Sequence, residues 1–256
     1  MIRFCSLGSG SAGNALIVEI GATRLLVDCG FSVQELERRM ARVNLSPGDL
    51  TAVLVTHEHA DHIGATAPLS RRYGLTVFTS PGTRLAARDD RFSSIQEIQA
   101  DAPLEIDDAW IHPFTVPHDS REPTQFAFSD GDHRLVLMTD AGHVSPHMVE
   151  MATGADALLL ECNHDPGLLA AGRYPPSLKR RIGGGYGHLP NHAATELLNG
   201  IDQSRLRHVV GMHLSTDNNH ADLARQALAA GLGCAPCETA IATQDTGFGW
   251  RTTAPC

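Results

Sequence analysis

Long apolar runs are missing from this sequence of 256 residues. No stretch approaches the roughly 18 consecutive apolar residues that suggest a membrane-spanning helix, so we expect no membrane association. The first residues, MIRFCSLGSGSAGN, also lack the basic stretch and the apolar segment of a secretory signal peptide. The sequence therefore predicts a cytoplasmic protein.

Cysteine and positive charge are both scarce. The six cysteines are scattered along the chain and do not form the dense framework of a small disulfide-bonded domain. Cys234 and Cys237 form a CxxC pair, which could be half of a zinc site or a redox pair. No second CxxC completes a four-thiolate site, which favours incidental thiols. The formal net charge of −9 argues against a broadly basic nucleic-acid-binding face but allows a local cationic groove.

Short β-like runs alternate with helical patterns along the chain. ALIVEI at 15–20 and HRLVLMTD at 133–140 have the aliphatic composition and the polar or glycine boundaries of strands. The spacing of apolar residues in SVQELERRMARV at 32–43 predicts a helix. Neither a linker rich in Pro, Gly and Ser nor a solenoid repeat divides the chain. These patterns predict one α/β domain over residues 1–256, with sheets flanked by helices.

Acidic and imidazole side chains follow the ends of the predicted strands. In α/β folds the chemistry collects in loops at strand ends. Five such positions stand out in this sequence: Asp28, the cluster at 57–62, His118, Asp140 and His213. Chance rarely supplies this repeated placement, so we expect these side chains to meet in one site.

The cluster HEHADH at 57–62 is suited to holding metal ions. His57 and His59 lie two residues apart, so a locally extended chain points both rings the same way. Asp61 and His62 lie where a helix is predicted to begin, and the turn there can aim them at a neighbouring point. One loop thus offers ligand pairs to two adjacent metal positions. Further ligands can come from His118, Asp140 and His213.

The donor types indicate which ions would fit. Neutral imidazole and carboxylate suit zinc, manganese or ferrous iron, and two such ions about 3.5–4 Å apart can activate a bridging water. Asp140 is the candidate for the bridging ligand because its two oxygens can reach both ions. Asp28 is expected to brace the ligand loop through hydrogen bonds.

THEHADH at 56–62 resembles the signature of the metallo-β-lactamase superfamily. The other strand-end residues match its remaining metal-site motifs in order and placement, and the resemblance covers essentially the whole chain. It implies a four-layer αββα sandwich with a dinuclear site at one edge. In that site the first ion would be held by His57, His59 and His118, and the second by Asp61, His62 and His213, with Asp140 bridging.

Other stretches are similar to one group within this superfamily, the YycJ-like (WalJ-like) group. They are SLGSGSAGNALIVE at 6–19, PHDSREP at 117–123, ECNHD at 161–165, GYGHLPNHAA at 185–194 and MHLSTDNN at 212–219. The group is similar to the phosphodiesterase branch that holds tRNase Z and PhnP-like enzymes, and it is associated with exonuclease activity on double-stranded DNA. The resemblance therefore implies cleavage of phosphodiester bonds, with DNA as the substrate, through a metal-bridging hydroxide.

Asp61 and His188 are the candidate catalytic residues. His188 follows several glycines in GGGYGHLPN and could protonate the leaving oxygen, while the glycines would let backbone approach a phosphate. His164 in ECNHD could lie next to the metal site or could simply make a hydrogen bond within its loop. The densest positive run could contact substrate phosphates or form a solvated helix face: Lys179, Arg180 and Arg181.

Two other functions stay open at this point. Hydrolysis of a small or cyclic nucleotide-like diester would use the same ligands and agrees with the negative net charge. A metal-bound regulatory protein without catalysis would be indicated by missing ligands, whereas every expected ligand is present.

Overall fold

Within residues 1–254, which a computed structural model describes, two seven-stranded sheets lie face to face. The first sheet contains, in spatial order, β14 (Phe248–Thr252), β1 (Ile2–Gly8), β2 (Ala15–Ile20), β3 (Thr23–Val27), β4 (Ala52–Leu54), β5 (Thr76–Thr79) and β6 (Ser94–Glu97). The second contains β13 (Ala240–Ile241), β12 (His208–Met212), β11 (Ala157–Glu161), β10 (Arg134–Met138), β9 (Thr124–Ser129), β8 (Ala109–Thr115) and β7 (Leu104–Ile106). The C-terminal Cys256 lies outside the described residues.

Strand β10 illustrates why apolar runs in this sequence form buried strands. Leu135 and Leu137 contribute to the core between the two sheets, whereas Val136 and Met138 contribute to a second core under the helices. Successive side chains of a strand point to opposite faces of the sheet. An apolar run without polar alternation therefore forms a strand that is buried on both faces.

Helices flank the two sheets or lie in the loops that connect the strands. They are α1 (Val33–Ala41), α2 (Ala60–Ile63), α3 (Thr66–Tyr73), α4 (Pro81–Ala86), α5 (Pro146–Ala152), α6 (Pro166–Ala171), α7 (Pro176–Ile182), α8 (Asn191–Gly200) and α9 (Ala221–Leu232). Leu36 of α1 packs in a core with Val53 of the first sheet, and Leu197 of α8 packs in a core with Val136 of the second. The predicted four-layer αββα sandwich is thus confirmed. Within residues 1–254, every helix is too short or too polar to cross a membrane.

The carboxyl ends of several strands point toward one edge of this sandwich. β3 and β4 are parallel neighbours in the first sheet, and β10, β11 and β12 are parallel neighbours in the second. β8 runs in the same direction as β10 because both are antiparallel to β9. The loops that follow these strands therefore share one edge, and they carry the predicted site residues.

Candidate metal centre

Three imidazoles from two loops bring one nitrogen each to a common point. Nε2 of His57 lies 3.0 Å from Nδ1 of His59, and Nε2 of His118 lies 3.2 Å from the same atom. The nitrogens of a tetrahedral zinc site lie about 2.0–2.1 Å from the ion and so roughly 3.3 Å from one another. Unprotonated nitrogens this close repel each other unless a cation or a proton lies between them. The spacing therefore fits a divalent ion.

A second group of ligand atoms lies beside the first. Oδ2 of Asp61 lies 3.5 Å from Nε2 of His62 and 3.4 Å from Nε2 of His213. Oδ2 of Asp140 lies 3.3 Å from Nε2 of His62, while its Oδ1 lies 4.0 Å from Nε2 of His118. The carboxylate of Asp140 thus faces ligand atoms of both groups, as a bridging ligand must.

The surroundings of one oxygen of Asp140 fit a cation. Oδ2 is buried and has no hydrogen-bond partner among residues 1–254. A buried acceptor without a partner costs about 1–3 kcal/mol, and a charged one costs more. The surrounding donors are imidazoles and carboxylates, a set that suits zinc, manganese or ferrous iron. The residues present therefore fit divalent ions.

Oxygen atoms behind the imidazoles fix their orientation. Nδ1 of His118 donates to the carbonyl of Gly187 at 3.0 Å, and Nδ1 of His62 donates to Oδ2 of Asp28 at 2.8 Å. Because these oxygens only accept hydrogen bonds, each ring keeps a proton on Nδ1 and directs Nε2 toward the ligand position. Imidazole ligands of metals are usually held in this way.

The backbone is left-handed at three of the polar residues that follow strands. The φ angle is 63° at Asp28, 57° at Asp140 and 54° at His213. Non-glycine residues seldom adopt this region, and each instance costs on the order of 1–3 kcal/mol, which the surrounding structure must hold in place. Such residues are concentrated at functional sites, and here all three lie in or next to the ligand groups.

The two ligand groups differ in charge. Burial lowers the pKa of His57 and of His59, so their rings are held in the neutral form that binds metals. In the second group burial acts in the same direction, but the nearby carboxylates, Asp140 first, raise the pKa of His62 and raise that of His213 to about 10. A cation that enters the second group would therefore displace protons from these imidazoles.

The sequence reasoning did not select Glu161, yet this residue lies inside the centre. It is the last residue of β11, is fully buried, and accepts hydrogen bonds from Nδ1 of His188 at 2.9 Å and Nδ1 of His213 at 3.2 Å. Its Oε2 accepts from the backbone amides of Ala141 at 2.8 Å and Leu189 at 3.1 Å. The strand-end signal that indicated Asp140 could have indicated Glu161 as well.

His188 lies between Glu161 and the predicted bridging residue. Its Nδ1 is 3.4 Å from Oδ1 of Asp140 in addition to the hydrogen bond to Glu161. Although burial opposes the charged form, Glu161 raises the pKa of His188. Because Nδ1 faces these carboxylates, Nε2 remains for a substrate atom. The side chain is 22% exposed, so a substrate can reach it.

Comparison with known proteins identifies the family. Residues 23–214 match a family model described as "Beta-lactamase superfamily domain". The chain belongs to the metallo-β-lactamase superfamily. Exodeoxyribonuclease YycJ from Bacillus anthracis is 36% identical to it over 236 residues, which are 89% of this chain and 88% of that protein. Exodeoxyribonuclease WalJ from Streptococcus pneumoniae is 34% identical over 232 residues, 88% of this chain and 86% of that protein.

The fold of the superfamily recurs in solved structures. The metallo-β-lactamase fold protein YhfI from Bacillus subtilis matches with a TM-score of 0.75, over 98% of this chain and 100% of that one. Its sequence identity is 18%, so this likeness concerns the fold alone. The predicted resemblance to the superfamily, and to its YycJ-like group, is confirmed.

A cavity of about 370 Å³ opens over the two groups of candidate ligands. Besides predicted ligands it is lined by Asp119, Tyr174, Arg181 and His188. Arg181 donates to Asp119 in an exposed ion pair, and Oδ1 of Asp119 lies 3.6 Å from Nε2 of His118. Sequence reasoning did not select Asp119 either, although it directly follows a predicted ligand.

The remaining predicted residues lie away from this cavity. Lys179 and Arg180 line a second cavity together with His164. The ring of His164 makes no hydrogen bond to a predicted ligand within residues 1–254. Cys234 and Cys237 lie in or after the turn that ends α9, and neither belongs to a potential metal-binding group in the described part of the chain.

Asp28 positions the candidate ligand His62, and this role can be tested. It accepts hydrogen bonds from the amide and hydroxyl of Thr56, each at 2.9 Å, and from His62. We expect Asp28→Asn to bind metal about 10–100-fold more weakly, because an amide cannot supply the same negative charge to the His62 N–H. Competition with a fluorescent chelator would measure this, and unchanged affinity would contradict it. Asp107→Asn, the same change at another left-handed aspartate away from the centre, is the matched control.

Proposed function

We propose that the chain is a dinuclear metal-dependent exonuclease that hydrolyses phosphodiester bonds in DNA. The observation that carries this proposal is the pair of ligand groups that share Asp140, next to an imidazole held by Glu161. Family and ligand groups together make the chain a metal-dependent hydrolase. The phosphodiester substrate is inferred from the relatives, two of which are named exodeoxyribonucleases.

Two divalent ions, zinc or manganese with iron also compatible, would be held by the predicted ligands. One would lie among His57, His59 and His118, the other among Asp61, His62 and His213, with Asp140 shared. When bound, they would supply an activated water molecule and positive charge for the phosphate oxygens.

The protein's own side chains would orient the phosphate and move protons. Glu161 holds Nδ1 of His188, which leaves Nε2 to donate a proton to the leaving oxygen. Asp61 is a quarter exposed at the cavity wall and would orient the attacking water by accepting a hydrogen bond from it. Arg181 would exchange Asp119 for a phosphate oxygen of the substrate when the strand enters.

We also propose that the whole chain, residues 1–256, forms one domain. β14, close to the C-terminus, pairs with β1, so the first and last strands share a sheet. Activity in the cytoplasm remains a prediction from the sequence.

The test is an activity panel with manganese and with zinc. Substrates of one sequence would be end-labelled duplex DNA, single-stranded DNA, RNA and a closed circular plasmid, next to cyclic nucleotides and bis(p-nitrophenyl) phosphate. We expect shortening of linear DNA from an end, no cut in the plasmid, and no cleavage by Asp61→Asn prepared in parallel. Cleavage of RNA or cyclic nucleotides with DNA left intact would contradict the proposal, and the latter would favour a small-diester enzyme.

A further inference from the structure

A second cavity, of about 460 Å³, lies across helix α7 from the metal centre. Arg181 and Ile182 of α7 line the cavity over the metal centre, whereas Lys179 and Arg180 line the second one. Residues two positions apart on a helix point to different faces, so this short helix forms a wall between the two cavities.

The second cavity is positively charged although the chain as a whole is negative. Lys179 and Arg180 line it with two imidazoles, and no acidic side chain within residues 1–254 does so. The Nζ atom of Lys179 donates to the carbonyl of Ala170, and neither cation forms an ion pair within the same residues. Although the chain's formal net charge is −9, these two cations favour an anion as the ligand of this cavity.

The other lining residues suit a flat ring. Pro166, Leu169 and Pro190 give the cavity apolar surface. His164 adds a side chain that is 2% exposed, and its Nδ1 has no hydrogen-bond partner within residues 1–254. Burial lowers the pKa of His164 to about 4, so the ring is neutral at pH 7 and has one donor and one acceptor nitrogen. Apolar walls, a polar ring and two cations together match a nucleobase with its phosphate.

The two cavities are built from the same chain segments. Glu161 and His188 take part in the metal centre, while His164 and Pro190, two or three residues further along, line the second cavity. A parallel β-bridge joins His164 to Pro190. A ligand in the second cavity would therefore bear directly on the segments that position His188.

We propose that the second cavity binds a nucleotide of the substrate strand other than the one whose phosphodiester bond is being cleaved. Lys179 and Arg180 would hold its phosphate, and its base would lie against the two prolines with a hydrogen bond to His164. This inference rests on the proposed function, since the strand would cross α7 from the metal centre. It adds a subsite that raises affinity only for substrates long enough to reach it.

The experiment compares the double variant Lys179→Ala/Arg180→Ala with wild-type protein on a series of DNA oligonucleotides of two to eight nucleotides. We expect the KM of the wild type to fall once the strand is long enough to reach the second cavity, and the double variant to lose that fall. The dependence of log KM on log salt should become shallower by roughly 0.7–0.9, because the contact with one phosphate is lost. Hydrolysis of bis(p-nitrophenyl) phosphate should be unchanged, because this diester is too small to span α7.

The matched control is Arg71→Ala/Arg72→Ala, which removes two cations from the last turn of another helix, α3. It should keep the wild-type length dependence and salt slope. His164→Ala should lose part of the length dependence, and the double variant tests the proposal even if this buried substitution unfolds the chain. The subsite would be overturned if the double variant and the wild type had the same length dependence and salt slope. It would also be overturned if the control variant lost as much of its length dependence and salt slope as the double variant.

If the wild type hydrolysed the chromogenic diester but no DNA, the proposed function would fail first.

Discussion

Replacing His188 by alanine is expected to slow DNA hydrolysis about 10²–10⁴-fold, the usual range for general acid–base help, while metal content stays unchanged. Glu161 accepts the Nδ1 hydrogen of His188 at 2.9 Å, so Nε2 is the nitrogen left to protonate the leaving oxygen. The predicted ligands are already sufficient for two ions without this ring. Losing it should therefore remove the proton donor and leave the metals in place.

Substrates with different leaving groups distinguish a proton donor from a phosphate clamp. A p-nitrophenolate leaving group needs little protonation, so the deficit of His188→Ala should shrink on bis(p-nitrophenyl) phosphate. His143→Ala is the matched control, because His143 is exposed and its Nδ1 donates to the carbonyl of Gly185 in the same glycine-rich segment. Equal deficits for good and poor leaving groups would make His188 a phosphate clamp. Loss of metal would make it a ligand, since it lies in a potential metal-binding group with Asp140.

Asp140→Ala is expected to cost more metal affinity and more activity than the loss of any one imidazole. Its two oxygens face opposite ligand groups, Oδ2 toward His62 at 3.3 Å and Oδ1 toward His118 at 4.0 Å. His59→Ala removes one ligand from one ion, whereas Asp140→Ala removes a ligand from both. Since loss of a residue that only supports a ligand costs about 10–100-fold in affinity or activity, we expect a loss beyond 10²-fold for Asp140→Ala.

Backbone strain must be separated from the loss of the carboxylate. The φ angle of Asp140 is 57°, and alanine tolerates this conformation poorly. Asp107→Ala is the matched control, because Asp107 is exposed, away from the centre, and has a φ angle of 47°. Asp140→Asn keeps the shape and one oxygen, so it should fold normally and still lose most of the activity. Metal content and rate equal to those of His59→Ala would contradict a shared ligand.

The sequence could predict that the candidate ligands lie together, because they follow strands that are easy to recognise. Asp140 comes two residues after the end of β10 and His213 directly after β12, and both strands are buried apolar runs. The edge strands were not predicted, because a segment such as SIQE in β6 is largely exposed and shows no clear apolar pattern. These edges do not contribute to the site.

The segment ECNHD shows where the sequence was insufficient. The sequence analysis considered its histidine for a place next to the metal site, yet Glu161 enters the centre and His164 lines another cavity. Which side chain turns inward depends on where β11 ends, and its last paired residue is Glu161, opposite Met212. The sequence also does not tell which cavity each cation of the run Lys179, Arg180 and Arg181 faces. The 100° turn per helical residue sends Lys179 and Arg181 to different sides of α7, which charge alone does not reveal.

The number and position of metal ions in the loaded protein test the dinuclear centre most directly. Crystals grown with manganese or zinc, with anomalous scattering recorded at the metal edge, would locate each ion, and elemental analysis would count them. We expect two ions per chain, one among His57, His59 and His118, the other at Asp61, His62 and His213, with Asp140 contacting both. A single ion in the fully loaded protein, with Asp61 and His62 turned away, would contradict this expectation.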